Sequence, residues 1–253
     1  MRLKGKVVVI TGSGGGIGEA CAHRFTAEGA KVVVTDIEAA GVARVSKAID
    51  SVGLTADISV EENVRAVADL ARRTYGEIDL WFSNAGLAGP RQPGEVQENK
   101  LWESMWKLHV MAHVYAVREV LPAMLDRGDG YLLQTASLVG LTTQAGKATY
   151  SVSKHAAVAL SEWLAVTYHR RGIKVSCFCP GAMLTPMLLN NEFPADHPVL
   201  TRAPKPGEVA DRLVRAIDEE RFLIVDSQQG PTALQAKAAN YDHWLDEVRS
   251  SFG

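Results

Sequence analysis

KVVVITGSGGGIGEACAHRFTAEGAKVVVTDIE, residues 6–38, decides the fold. Residues 6–10 and 31–35 are β-branched apolar runs of strand length, and EACAHRFTAEG between them has helical character. Strand, turn, helix, strand in that order is a parallel β-α-β unit. The turn is TGSGGGIG, Thr11 to Gly18. Its glycines, Gly12, Gly16 and Gly18, follow a G-x-x-x-G-x-G spacing, with Ser13 and Ile17 between them. The commoner G-x-G-x-x-G pattern fails, because the sixth position counted from Gly12 is Ile17. Glycines at a strand-to-helix turn let the backbone approach a pyrophosphate, which the N–H groups of the helix N-terminus then face.

The same alternation continues outward. Residues 53–56, 78–83, 130–135, 173–178 and 222–225 read as further strands, and 61–75, 101–125 and 149–170 as amphipathic helices. Near-continuous apolar strands separated by helices predict a parallel sheet covered on both faces. The expected fold class is α/β, a single doubly wound Rossmann-type domain spanning residues 1–253. Residues 185–207, rich in Pro, Asn and charge, are expected to form a substrate loop. Residues 231–250 carry Leu234, Ala238, Tyr241, Leu245 and Val248 at helical spacing, predicting a C-terminal helix that packs on its own domain, caps the cleft or meets another subunit.

Bulk composition excludes several classes. With 27 basic and 29 acidic side chains, the net charge of -2 offers no field to gather nucleic acid or anionic lipid. No apolar stretch approaches about 18 residues, so no membrane span is expected, and the N-terminal apolar run is too short for a secretory signal. A cytoplasmic protein is expected. Cys177 and Cys179, in VSCFCPG, read as small core residues in a reducing compartment. No metal is expected, since His109 and His113 share helical spacing but lack a third ligand.

Asp36 closes the second strand, where a carboxylate can bind adenosine ribose hydroxyls and repel a 2′-phosphate. No Arg or Lys lies between Ser13 and Gly15 or at Ile37, so NAD is expected over NADP. The other reading of Asp36 is a cap for the next helix. In TYSVSKHAAVAL, Tyr150 and Lys154 stand four apart on one helix face. A tyrosine of ordinary pKa, about 10, must drop by roughly three units, about 4 kcal/mol, to serve as a base near neutrality. A neighbouring ammonium works in that direction. Ser137, at the end of the fifth strand, is placed to hydrogen-bond a substrate oxygen.

Taken in order, the glycine turn, Asp36, Asp57 in ADIS, Asn84 to Gly86 in SNAG, Ser137, Tyr150, Lys154 and PGAMLT strongly resemble the short-chain dehydrogenase/reductase family. The resemblance runs from Met1 to about Asp226 and implies a seven-stranded parallel sheet flanked by helices. It implies Asp57 and Ile58 at the adenine edge, with Asn84, Ala85 and Gly86 supporting the sheet and the cofactor ribose. Ser137 would orient substrate, Tyr150 would act as acid/base, and Lys154 would hold the nicotinamide ribose. Pro180, Gly181, Met183 and Thr185 would border the nicotinamide.

This chain departs from the family pattern at His109, where an asparagine usually serves a proton relay, and two readings stand: a substitute relay group or a packed histidine. Ser83 replaces the first asparagine of N-N-A-G. The C-terminal stretch differs from the usual tetramer-closing strand. The expected function is NAD-dependent interconversion of a hydrophobic secondary alcohol and its ketone. The alternatives are an NADP-dependent carbonyl reductase and a non-catalytic nucleotide-binding scaffold. Leu87, Leu138, Val139, Leu141, Met183, Leu184, Met187 and Leu188 predict an apolar substrate pocket, with no arginine to clamp a carboxylate. The family also implies a homo-oligomer, dimer or tetramer, with dimer pairing through the helices over 101–125 and 149–170.

Overall fold

The computed structural model describes residues 1–190, 197–226 and 230–250. Seven strands form one parallel sheet: β1 (Val7–Thr11), β2 (Lys31–Asp36), β3 (Val52–Thr55), β4 (Leu80–Ser83), β5 (Gly130–Thr135), β6 (Ile173–Pro180) and β7 (Leu223–Asp226). Their order is β3-β2-β1-β4-β5-β6-β7, with every neighbouring pair parallel. All seven expected strands exist, each within three residues of its expected ends.

The strand order reverses between β1 and β4, and a ligand crevice opens at such a switch point, beyond the carboxyl ends of the strands. β1 sits centrally, Val8 beside Val32 and Leu80, and all five of its residues are buried. On one face Val8, Ile10, Phe82, Leu133 and Phe178 pack against α1 (Gly16–Ala27) and α9 (Pro206–Asp218). On the other, Val9, Trp81, Leu132 and Val175 meet α3 (Glu61–Tyr75), α5 (Ala112–Arg127) and α6 (Ala148–Tyr168). The remaining helix of the first half is α2 (Ala39–Ala48), which packs Val42 and Val45 into the first of these layers.

Three expected elements come out differently. The helix over 101–125 is α4 (Asn99–Trp106), a five-residue π-helical segment Lys107–Met111, and then α5. A π segment inserts extra backbone into a helix and shifts its register locally, often at functional sites. The loop over 185–207 contains α7 (Pro186–Leu189) and α8 (Pro198–Arg202), each begun by a proline at its first turn, while residues 191–196 lie outside the described residues. The C-terminal stretch is two helices, α10 (Gly230–Ala239) and α11 (Tyr241–Ser250). They separate at Asn240, whose side-chain oxygen accepts the His243 N–H and starts the second helix. No described helix is long and apolar enough to cross a membrane.

Candidate active site

The glycine turn is built by close backbone approach. Gly12 adopts φ 66°, and a Cβ there would lie 2.7 Å from Ala85 Cα. A Cβ at Gly18 would collide with the Gly12 carbonyl. Thr11 and Asn84 lock this arrangement: Thr11 Oγ1 accepts the Asn84 and Ala85 N–H groups at 2.9 and 3.1 Å, and Asn84 Nδ2 donates to the Thr11 carbonyl at 3.0 Å. No side chain caps α1, so its first N–H groups are left to face the crevice.

Asp36 Oδ2 accepts the Gly14 N–H at 2.9 Å and Oδ1 accepts the Glu38 N–H at 3.1 Å. Glu38 is the cap residue of α2, so Asp36 belongs to the turn and does not cap that helix. From here a cleft of about 1440 Å³ runs along the strand ends. It is lined by Gly12, Gly16, Ile17, Asp36, Ile37, Asp57, Ile58, Asn84, Ala85 and Gly86, then by Pro180, Gly181, Met183 and Thr185, and by Ser137, Tyr150 and Lys154. A backbone cradle closed to a Cβ at Gly12 and Gly18, a helix N-terminus and a carboxylate at its end fit a dinucleotide.

Two residues expected at the cofactor do not line the cleft. Ser13 is fully buried and turned inward, donating to the Ile10 carbonyl at 2.7 Å and accepting the Thr35 N–H at 3.0 Å. Gly18 serves the packing of α1 beneath the turn. Among the expected substrate contacts, Leu87, Leu138, Val139, Met187 and Leu188 line the cleft with Met183. Leu141 is instead core, packed with Ala157 and Cys177, and Leu184 bonds through its backbone to Pro204.

At the far end Ser137, Tyr150 and Lys154 converge. Ser137 caps a short 3₁₀ turn, its Oγ accepting the Val139 N–H at 3.2 Å. Its hydroxyl also stands close enough to the Tyr150 phenol to pull that pKa down. Lys154 is 3% exposed; its Nζ donates to the Thr135 carbonyl at 3.1 Å and lies 5.7 Å from the Tyr150 ring centre. Burial lowers the Lys154 pKa to about 8. It raises that of Tyr150, against a smaller downward pull from the Ser137 hydroxyl. The drop that base chemistry requires is therefore not a property of the chain by itself.

His109 sits behind this trio in the π segment and does not line the cleft. Its Nε2 accepts the Leu87 N–H at 3.1 Å, which requires the lone pair there and fixes the proton on Nδ1. Nδ1 then donates to Ser153 Oγ at 2.9 Å, and Ser153 Oγ donates to the Tyr150 carbonyl at 3.1 Å. The ring stands edge-on to Tyr150, centres 5.6 Å apart. Burial first and the Lys154 charge second hold this imidazole far below its ordinary pKa, so it is neutral. Gly86 makes room for the group: a Cβ there would lie 3.3 Å from His109 Nε2 and 3.6 Å from Lys154 Nζ.

Residues the sequence did not flag also line the cleft, among them Gly15, Arg91, Thr143, Gln144, Lys147 and Val199. A positional signal existed for Lys147, three residues ahead of Tyr150. None marks the others, which are brought in by loops.

The chain matches the family model described as short chain dehydrogenase over residues 6–194. It is 32% identical to levodione reductase of Leifsonia aquatica, over 87% of this chain and 83% of that one. It is 28% identical to cyclohexanol dehydrogenase of an Acinetobacter strain, over 90% of this chain and 93% of that one. Among solved structures, a short chain dehydrogenase/reductase from Burkholderia phymatum in complex with NAD superposes with a TM-score of 0.84 at 28% identity, covering 96% of each chain. A glycine turn that admits no Cβ at Gly12 or Gly18, a cleft along the switch point and these matches lead to one conclusion: the chain belongs to the short-chain dehydrogenase family and is an oxidoreductase.

Proposed function

We propose that this protein is an NAD-dependent dehydrogenase that interconverts a cyclic secondary alcohol and its ketone, with Tyr150 as acid/base. The carrying observation is the convergence of Ser137, Tyr150 and Lys154 at the end of a cleft that begins at the glycine turn and Asp36. The cyclohexanol named for one relative supports the ring-shaped substrate, and the apolar wall of Leu138, Val139 and Leu188 suits it.

Gly12, Gly16, the N-terminus of α1 and Asp36 would hold the dinucleotide, with Lys154 reaching its nicotinamide ribose. That cofactor supplies a hydride donor or acceptor when bound. In the reducing direction the Tyr150 hydroxyl protonates the carbonyl oxygen while Ser137 Oγ donates a second hydrogen bond to it. In the oxidising direction the phenolate must form. The buried Lys154 ammonium and the positive charge of an oxidised nicotinamide both favour it, against the burial that raises the phenol. Phenolate formation is thus coupled to loading of the site.

NAD rather than NADP follows from Asp36, whose charge repels a 2′-phosphate. Arg44, the one guanidinium bonded to this turn among the described residues, is engaged by Glu19 and the Gly14 carbonyl. His109 acts as a positioning residue, since both of its nitrogens are committed to Leu87 and Ser153. Copies of the chain pair through α4 and α6, which expose Trp106, Val152, Trp163 and Val166. The test is titration of NADH and NADPH against Trp fluorescence, followed by oxidation of cyclohexanol. Preference for NADPH would overturn the Asp36 argument, and binding of neither would overturn the dehydrogenase reading.

A further inference from the structure

The two C-terminal helices reach back to the wall of the cleft through one side chain. Lys237, half-buried near the end of α10, donates from Nζ to the Leu141 carbonyl at 2.9 Å. The same ammonium lies over two rings of α11, 5.4 Å from the Tyr241 centre and 5.0 Å from that of Trp244. These rings meet edge-on, centres 5.5 Å apart, and Trp244 is 5% exposed. An ammonium within about 6 Å of an aromatic face is attracted by the ring quadrupole. Two rings and a carbonyl thus fix where this long side chain ends.

Leu141 closes the short 3₁₀ turn that Ser137 opens. The Gly140 N–H donates to the Ser137 carbonyl at 2.9 Å, and the Leu141 and Thr142 N–H groups donate to the Leu138 carbonyl at 2.9 and 3.0 Å. With the Val139 N–H on Ser137 Oγ, these bonds make residues 137–142 one small unit. Its Leu138, Val139 and Thr142 line the cleft beside Ser137. The unit lies directly on α6, since a Cβ on Gly140 would stand 2.6 Å from the Lys154 carbonyl oxygen. α10 meets it at both ends: Leu234 packs on the cluster that holds Leu141, and a Cβ on Gly230 would lie 3.2 Å from Leu138 Cδ1. Apolar packing is non-directional, whereas a charge-assisted hydrogen bond fixes the carbonyl on which it ends.

We infer that Lys237 is a positioning residue for the reaction. Clasped by Tyr241 and Trp244, it pins the Leu141 end of the turn and so holds the Ser137 hydroxyl where it meets the substrate oxygen. The C-terminal helices then serve catalysis through Ser137 as well as covering apolar surface. This inference rests on the dehydrogenase reading above, which supplies the role of Ser137.

The experiment measures cyclohexanol oxidation with NAD in wild type, Lys237→Met and Lys237→Arg, with NADH affinity taken by calorimetry. Lys237→Met keeps the aliphatic stem and loses the hydrogen bond. Its kcat should fall about tenfold or more, since a misplacement of about 1 Å at a reacting centre costs about 10²-fold. NADH affinity should stay within about twofold, because the glycine turn and Asp36 are untouched. Lys237→Arg can still bond the carbonyl and lie over the rings, and should recover most of the rate. A cycle with Ser137→Ala separates positioning from general damage. In that background Lys237→Met should cost less than about twofold, because the group it positions is gone. An undiminished loss there, a wild-type kcat in Lys237→Met, or a fall in NADH affinity matching that in kcat overturns the inference.

A second measurement needs no turnover: amide hydrogen exchange of the ligand-free protein. Exchange at Val139, Gly140, Leu141 and Thr142 should accelerate about tenfold or more in Lys237→Met while that of β1 is unchanged. Unaltered exchange in this turn overturns the clasp itself. A wild type that oxidises neither cyclohexanol nor any other secondary alcohol overturns the dehydrogenase reading and the catalytic role of Lys237 with it, and exchange then decides separately whether Lys237 holds the turn.

Discussion

Acid titration of the fold interrogates the two histidines buried behind the active site. His113 is 1% exposed, and burial, then the Lys154 charge, push its pKa down to about 3. His109 is pushed lower still by the same two causes. In the unfolded chain both return to about 6.5. The folded pKa values are depressed, so the unfolded state binds more protons between pH 6.5 and about 3, and stability falls as pH is lowered through that window. From pH 8 to pH 5 each histidine removes about 2 kcal/mol, so the pair removes about 4 kcal/mol. His113→Leu eliminates one of the two, and its loss over the same interval should be smaller by about 2 kcal/mol. Neither His113 nitrogen has a protein partner, so the variant should also be no less stable than wild type at pH 8. Urea midpoints at pH 8, 6.5 and 5 measure this, and carboxylates common to both proteins cancel in the difference. Parallel pH curves for wild type and variant would refute the argument, because they would mean that His113 titrates alike in both states.

Four further outcomes are expected. Tyr150→Phe should lower kcat by about 10²- to 10⁴-fold while leaving NADH binding intact, checked by pairing steady-state rates with fluorescence titration. Asp36→Ala should improve NADPH binding relative to NADH by about tenfold or more, read in the same titration. Lys154→Met should abolish turnover yet stabilise the ligand-free fold at pH 7. The wild-type lysine is depressed to about 8, so wild-type stability rises between pH 8 and 10.5 and the advantage of the variant should vanish there in urea melts. Val166→Glu, at a position 85% exposed on α6, should dissociate the oligomer in sedimentation velocity without altering the thermal melt of the protomer.

Much of the fold was legible because its signals are local. A β-branched run such as Val7–Thr11 can be buried on both faces only inside a covered parallel sheet, and the turn after it needs glycine at positions 12 and 18, where a Cβ is excluded. Ser13 was misplaced because composition assigns a residue to a turn without saying which way its side chain points, and Ser13 points inward to the β2 backbone. The break at Lys107–Met111 was illegible, since an apolar pattern of period 3.6 reads through a π segment without interruption. Arg91 escaped notice for a different reason. It lies far from Lys147 in sequence and reaches it only through the contact of residues 91 and 92 with Gly146. Loop-borne residues of this kind carry no periodic signature.

The site is also where the chain violates its own rules of burial, and those violations share a cause. Lys154 is buried with a single carbonyl partner, His113 with none, and Lys147 is half-buried without an acid among the described residues. The carboxylates that line the cleft among the described residues are Asp36, Glu38, Asp57 and Glu103, and none of them makes an ion pair with Lys154, His113 or Lys147. An isolated fold would be more stable with apolar side chains at these positions. On the dehydrogenase reading proposed above, what retains Lys154 is a demand made by the bound state. Lys154 must carry charge beside a phenol that burial otherwise keeps protonated, and a cation already desolvated acts on that phenol more strongly than one in water. The histidines answer a narrower demand. By standing neutral, His109 bonds Leu87 and Ser153 without adding a second positive charge that would oppose that of Lys154. A polar side chain that was charged at this place would compete with the lysine; an apolar one would strand the Leu87 N–H. Neutral imidazole satisfies both constraints, which gives a physical reason for a histidine at position 109.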